Sequence, residues 1–171
     1  MEAYKNSKKG YVAFQVIVGH KDWVVDVKCN KEGDTFVSGG RDGSVLIYKK
    51  KSEKNSFFKK KISIENEVDS VTNIAVEFKE QIIFVGYASG TLSIFSYNMQ
   101  NSTHKEIYSF KENSSPITSL DYNGKDYSLT VITRSAKVFS FADLLHTPSL
   151  LDISRKELVT LDNRNLNIPY I

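Results

Sequence analysis

A hairpin pattern that recurs at a nearly constant interval constrains this chain more than any other feature. Each copy has small or hydroxyl residues before a tight turn, and an apolar strand that ends in an aromatic side chain follows the turn. The copies span residues 38–48, 86–95 and 133–139, and their closing aromatics, Tyr48, Phe95 and Phe139, are 47 and 44 residues apart. An interval of about 40–45 residues is typical of a four-stranded sheet that stacks against copies of itself.

The residues around these hairpins alternate between apolar and polar side chains. Val25, Val27 and Cys29 alternate with Asp26 and Lys28, and clusters of turn residues interrupt such stretches at short intervals. A period of two is the period of a β-strand, and no stretch sustains an apolar stripe at the helical period of 3.6. The sequence therefore predicts an all-β fold.

The first repeat carries the most specific motifs. They are Gly19-His20, Trp23-Val24-Val25-Asp26-Val27, Glu32-Gly33-Asp34, Ser38-Gly39-Gly40-Arg41-Asp42-Gly43 and Tyr48. Together these motifs resemble a WD40 repeat, although the Trp-Asp pair that ordinarily ends such a repeat is Tyr48-Lys49 here. The resemblance implies a β-propeller in which a buried, hydrogen-bonded tetrad forms from His20, Ser38, Asp42 and Tyr48. A buried carboxylate needs donors, and imidazole and hydroxyl groups supply them.

The resemblance divides the chain into blades of one incomplete or shared propeller over residues 1–171. We expect four-stranded blades at about 20–64, 68–111 and 115–154, a remnant of a fourth at 155–171, and an outer closing strand at 11–18. The second and third repeats match in pattern and interval only, because they lack the Gly-His pair and the hairpin aspartate. Three blades are too few for an ordinary closed ring, so we expect further blades to lie C-terminally or on another chain.

Positive charge is concentrated in the first third of the chain. Residues 1–61 contain 14 Lys and Arg against 7 Asp and Glu, whereas residues 62–171 contain 9 against 13. Six of the lysines flank the expected connection between the third and fourth strands of the first blade: Lys49, Lys50, Lys51, Lys59, Lys60 and Lys61. Two interpretations remain open, a solvated loop beside an edge strand that lysines protect from aggregation, and a contact with the phosphate backbone of ribosomal RNA.

A second candidate interface lies at the start of the first blade. In WD40 propellers the loops before the first strand of a blade commonly contact partners, and by resemblance these positions are Lys21, Asp22 and Trp23, with Arg41 on the neighbouring hairpin. A tryptophan beside an arginine is typical of a binding hot spot. The alternative is that Trp23 caps the interior of the blade.

Residue types that carry catalytic or metal chemistry are not gathered at any productive spacing. Cys29 is the single cysteine, and the histidines His20, His104 and His146 are scattered, which matches no metal-ligand pattern. Neither a phosphate-binding loop nor a nucleophile elbow occurs. We therefore expect a protein that is not an enzyme and that needs neither a cofactor nor a metal.

Within WD40 proteins, residues 19–24 and 38–48 resemble the first blade of the ribosome-associated receptor for activated C kinase. Residues 27–34 are equally similar to the i subunit of translation initiation factor 3. The resemblance implies a cytoplasmic scaffold on the small ribosomal subunit or elsewhere in the translation machinery. The alternative is a structural subunit of another assembly, such as that initiation factor, a vesicle coat or a nuclear pore, whose open propeller a partner chain completes. Either function implies protein partners, a larger complex or homo-oligomer, and no insertion into a membrane.

Overall fold

The computed structural model of the protein describes residues 15–52, 55–111 and 115–141, and every regular element in these ranges is a β-strand. The prediction of an all-β fold is thus confirmed, and these ranges hold no helix long and apolar enough to cross a membrane. The strands are β1 (Val24–Cys29), β2 (Thr35–Gly40), β3 (Val45–Ser52), β4 (Asn55–Ile64), β5 (Val71–Glu77), β6 (Ile82–Tyr87), β7 (Thr91–Asn98), β8 (Thr103–Lys111), β9 (Ile117–Asn123), β10 (Ser128–Thr133) and β11 (Val138–Phe141).

The strands form three antiparallel sheets in which neighbours along the chain are neighbours in the sheet. The first sheet contains β1 to β4, the second contains β5 to β8, and the third contains β9 to β11. Residues 142–154 of the expected third blade and the expected remnant at 155–171 lie outside the described residues, as do residues 11–14 of the expected closing strand. The described part of that segment, residues 15–18, has no regular secondary structure.

The sheets stack face to face in an open array, with β1 beside β5 and β5 beside β9. The second sheet is therefore covered on both sides. Its strand β6 is an almost unbroken apolar run in which every residue is buried, as is typical of a strand with both faces in a core. Ile83 and Val85 of β6 face the first sheet, whereas Ile82 and Phe84 face the third.

A glycine in the second strand of one sheet receives apolar side chains from the first strand of the next sheet. A methyl group on Gly39 would lie 2.8 Å from Val71, and one on Gly86 would lie 2.7 Å from Ile117. Carbon atoms do not approach that closely, so each glycine is needed for the spacing between sheets. The two sheet contacts therefore repeat the same packing.

The predicted hairpin turns all adopt a left-handed backbone at the same position. Gly43, Gly90 and Ala136 have φ angles of 78°, 86° and 60°, and each donates its N–H to a carbonyl oxygen three residues earlier. Glycine adopts this conformation without strain, whereas alanine does so at a cost. The third repeat therefore has the same turn geometry as the other two without the glycine that favours it.

We expect the substitution Gly86→Ala to lower the free energy of unfolding by about 1–3 kcal/mol, because the added methyl group must displace Ile117 in a packed core. Chemical denaturation of the full chain measures this change. Gly124→Ala is the matched control, since its methyl group would meet only the end of the flexible Glu77 side chain. An equal effect of the two substitutions would contradict the packing described between the second and third sheets.

Candidate binding surface on the first sheet

A hydrogen-bonded network closes one end of the first sheet. His20 precedes β1, and its ring nitrogens lie 2.8 Å from the Ser38 hydroxyl and 3.1 Å from the Asp42 carboxylate. Asp42 also accepts hydrogen bonds from the Lys21 backbone N–H at 2.6 Å and from the Ser44 hydroxyl at 2.7 Å. The side chains of His20 and Asp42 are 5% and 8% exposed, so the network is enclosed.

Tyr48, the fourth residue of the expected tetrad, has a different role. Its ring stacks on Phe36 at a centroid distance of 4.7 Å, and its hydroxyl fills the space beside Gly19. None of the hydrogen bonds of the network, among the described residues, reaches that hydroxyl. Ser44 joins His20 to Asp42 instead, through contacts of 2.9 and 2.7 Å. Sequence reasoning missed Ser44, because a serine after a turn is common and signals no particular role.

The Asp42 carboxylate is held in its charged form. Burial alone would raise the pKa of Asp42, but hydrogen bonds from Ser44, the Lys21 backbone and His20 outweigh that effect and hold the pKa far below the ordinary value of 3.8. Burial, followed by the negative charge of Asp42, raises the pKa of Tyr48. The arrangement stabilises the hairpin and leaves no free nucleophile or base at this position.

The second and third sheets replace this network with neutral hydroxyl pairs. Ser89 and Thr91 lie 2.8 Å apart in the second sheet, and Thr133 and Ser135 lie 3.1 Å apart in the third. The absence of the Gly-His pair and the hairpin aspartate from these repeats has this structural counterpart. The charged network distinguishes the first sheet from the other two.

The four candidate partner-binding residues lie together outside this network. The Trp23 ring is 73% exposed, so Trp23 does not cap the interior of the sheet. The Arg41 guanidinium lies 5.4 Å from the centre of that ring, and the Arg41 N–H donates to the Trp23 carbonyl at 2.8 Å. Lys21 and Asp22 precede Trp23 on the same exposed loop. An exposed tryptophan with a cation over its face offers a partner a rigid, amphipathic contact.

The candidate RNA-binding lysines lie within β3 and β4, not in the connection between these strands. This corrects the placement expected from the sequence, and the reason is that the two strands continue to pair beyond the apolar core, with Lys49 opposite Lys59 and Tyr48 opposite Lys60. We call the six residues the basic edge: Lys49, Lys50, Lys51, Lys59, Lys60 and Lys61. Among the described residues none of them forms an ion pair with a carboxylate.

Two contacts hold the basic edge in place. The Lys50 ammonium lies 5.3 Å from the centre of the Phe58 ring, and that ring packs edge-on against Phe36 at 4.9 Å. The Gln15 side-chain amide donates to the Phe58 carbonyl at 3.0 Å and accepts from the Phe58 N–H at 2.8 Å. Gln15 therefore satisfies backbone groups on the outer side of the edge strand β4, a role that sequence reasoning did not find.

A cleft of about 850 Å³ opens where the first strands of the three sheets lead into their turns. Its lining includes Lys31, Lys79 and Lys125 as well as Glu32 and Glu77. Since both signs of charge occur there, the lining does not favour an anionic over a cationic ligand. The basic edge and the Trp23–Arg41 pair are more distinctive surfaces.

The fold and these surfaces define an open fragment of a WD40-type β-propeller. Residues 12–49 match the family model described as WD domain, G-beta repeat, and this range includes the whole charged network. A search of the curated proteins finds no match to the chain. The match places a WD40 repeat in the first sheet, and it does not support the narrower resemblance to the receptor for activated C kinase.

Solved structures with the same fold are WD40 proteins of greater length. The crystal structure of Sqt1 from Saccharomyces cerevisiae matches with a TM-score of 0.61 and 12% identity over 73% of this chain and 34% of that one. The C-terminal WD40 domain of Sif2 matches with a TM-score of 0.57 and 14% identity over 74% of this chain and 36% of that one. This chain thus spans about a third of the length of either structure, and the similarity shows the fold alone.

We expect Asp42→Asn to lower the free energy of unfolding by about 1–3 kcal/mol at pH 7, because the amide cannot accept all the hydrogen bonds that the carboxylate accepts. The pKa of Asp42 is lowered by folding, so its contribution is complete above the ordinary value of 3.8 and is lost as the pH falls below that value. Urea denaturation between pH 7 and pH 3 therefore gives a difference between the two proteins that shrinks in acid.

The exposed Asp121, on the outer face of the third sheet, provides the control. Asp121→Asn is expected to change the free energy of unfolding by less than about 0.5 kcal/mol at pH 7. A difference between the native chain and Asp42→Asn that stays constant from pH 7 to pH 3 would contradict the role assigned to the carboxylate.

Proposed function

We propose that this chain is a non-enzymatic WD40-type scaffold whose first sheet is its main docking surface. The exposed Trp23–Arg41 pair carries the proposal, since a large aromatic ring that is 73% exposed is costly in water and is typical of the centre of a protein interface. The enclosed His20–Asp42 network supports a structural role for the residues most suited to catalysis. A cytoplasmic location is part of this proposal.

The partner that we propose is the ribosome, through its small subunit, or another part of the translation machinery. The basic edge supports this, because its unpaired ammonium groups lie on two adjacent strands at the outer rim of the first sheet. Phosphate groups of RNA attract such a row independently of base sequence, and the contact weakens as salt rises. Lysines of one sign that face each other across strands cost stability, and binding to a polyanion offsets that cost.

A structural subunit of another assembly is the second candidate. The observation that favours it is the uncovered side of β1, where Val24 and Val27 are 56% and 52% exposed. A partner chain that covers them would complete the stack of sheets. Such a complex would resist salt, because burial of apolar surface rather than charge would stabilise it.

The salt dependence of binding to purified small ribosomal subunits tests the first proposal. We expect the double variant K59E/K60E to bind more weakly than the native chain and to lower the slope of log affinity against log salt by about 2, because two phosphate contacts are lost. Co-sedimentation of the full chain at several salt concentrations measures both quantities. The matched control is K105E/K111E, which reverses the same number of charges at exposed positions of β8 in the second sheet.

Trp23→Ala is the second arm of the same experiment. It is expected to weaken binding by about 30-fold without a change in the salt slope, since an aromatic anchor contributes apolar contact and not charge. Equal binding by K59E/K60E and K105E/K111E would overturn the role of the basic edge. Native affinity in Trp23→Ala would overturn the role of the Trp23–Arg41 pair.

A further inference from the structure

The two contacts between sheets show which residues of a first strand need a preceding sheet. Val71 and Ile74 of β5 pack on Gly39 of the first sheet, and Ile117 and Leu120 of β9 pack on Gly86 of the second. These four side chains are between 0% and 7% exposed. Each sheet therefore inserts two apolar side chains from its first strand against the glycine of the sheet before it.

The equivalent residues of β1 have nothing before them. Strand pairing aligns Val24 with Val71 and Ile117, since each is the first paired residue of its strand and a register shift follows it. The same pairing aligns Val27 with Ile74 and Leu120. Val24 and Val27 are 56% and 52% exposed, although the side chains that they match are buried.

Cys29 completes this surface, which we call the open face: Val24, Val27 and Cys29. Cys29 lies two residues beyond Val27 and is exposed, whereas the residue two beyond Ile74, Val76, packs against the core between the first two sheets. Farther out, the same side of the first sheet is already covered, since Leu46 and Tyr48 lie against Gly19 and are 2% and 3% exposed. The uncovered apolar surface is therefore confined to the first strand.

The far end of the stack is not built to receive another first strand in the same way. Strand pairing places Ile132 of β10 where β2 and β6 have Gly39 and Gly86. The neighbouring position is Thr130, where those strands have the fully buried Val37 and Phe84. Such a face suits the end of a stack of repeats, where the outer surface is polar. A second copy of this chain that docked head to tail would thus meet a side chain where the packing needs a glycine.

The chain's own segments outside the described ranges do not supply that packing either. Residues 142–171 contain no glycine, and residues 1–14 are too few for a sheet of several strands. The missing sheet must carry a glycine opposite Val24 and Val27 and apolar residues around it, as the first and second sheets do for their successors. These requirements leave another polypeptide as its source.

We propose that the open face of β1 docks a β-sheet of a different protein chain, whose second strand carries a glycine that receives Val24 and Val27. The stack of sheets then grows from the first sheet and ends at the third, which differs from the expectation that further blades follow C-terminally. The inference rests on the scaffold function proposed above, and it is independent of the basic edge.

Cys29 allows a direct test, because it is the single cysteine of the chain and belongs to the open face. The full chain, labelled at Cys29 with a maleimide-linked benzophenone, is added to an extract of its source cells, irradiated and analysed by mass spectrometry. The expected product is a cross-link to a glycine-containing strand of one other protein. A cross-link to residues 142–171, a cross-link to a second copy, or labelled chain that reacts with no other protein would each overturn the proposal.

Matched variants separate docking from folding and from RNA binding. Val27→Asp is expected to reduce the cross-linked product at least tenfold and to leave the melting temperature of the isolated chain unchanged, since Val27 is exposed there. Ile132→Asp alters an exposed apolar residue of the third sheet and is expected to keep the product at its native amount. The K59E/K60E variant is expected to keep it as well, so a failure of ribosome binding leaves this result unaffected. Equal cross-linking by Val27→Asp and Ile132→Asp would overturn the proposal.

Discussion

The packing of apolar side chains from one sheet against a bare glycine in the sheet before it is the contact on which this structure depends. At Gly39 and Gly86 the neighbouring side chains stand where a methyl group would be. This close approach brings whole sheet faces together and buries both sides of the second sheet. Because the contact has a donor face and a receiving face, the stack has a direction.

That direction relates the fold to the proposed function. The first sheet combines the charged network, the exposed Trp23–Arg41 pair, the basic edge and the open face. The network stabilises the hairpin that positions Arg41 beside Trp23, so a buried set of hydrogen bonds supports an exposed binding surface. The third sheet presents Thr130 and Ile132 on its outer side and ends the stack. Function is thus concentrated where the repeat motif is most complete.

Much of the fold could be predicted from the sequence, because its signals are local. The alternation in β1, the turn residues before Val45 and Thr91, and the closing aromatics act over a few residues each, and they predicted the all-β class and its hairpins. The direction of stacking could not be read in this way, since it depends on which strand of the next sheet meets Gly39. The lysines of β3 and β4 were placed in a connection, because charged runs are usually solvated loops, although here strand pairing extends through them.

The candidate site was predictable only in part. Motif resemblance found His20, Ser38 and Asp42, whose contacts are close in the structure, but it assigned Tyr48 to a network that uses Ser44. Gln15 had no signal at all, because its partners are backbone groups of Phe58, 43 residues away. Side chains that bond to backbone across such a distance leave no spacing pattern in a sequence.

Hydrogen–deuterium exchange of the isolated full chain tests the open stack most directly. The backbone N–H groups of β1 are expected to exchange faster than those of β5 and β9, because only β1 lacks a preceding sheet over its apolar side chains. The N–H groups of β6 are expected to exchange most slowly, since both of its faces are covered. Protection of β1 equal to that of β5 in the isolated chain would contradict an open first sheet and the direction of stacking derived from it.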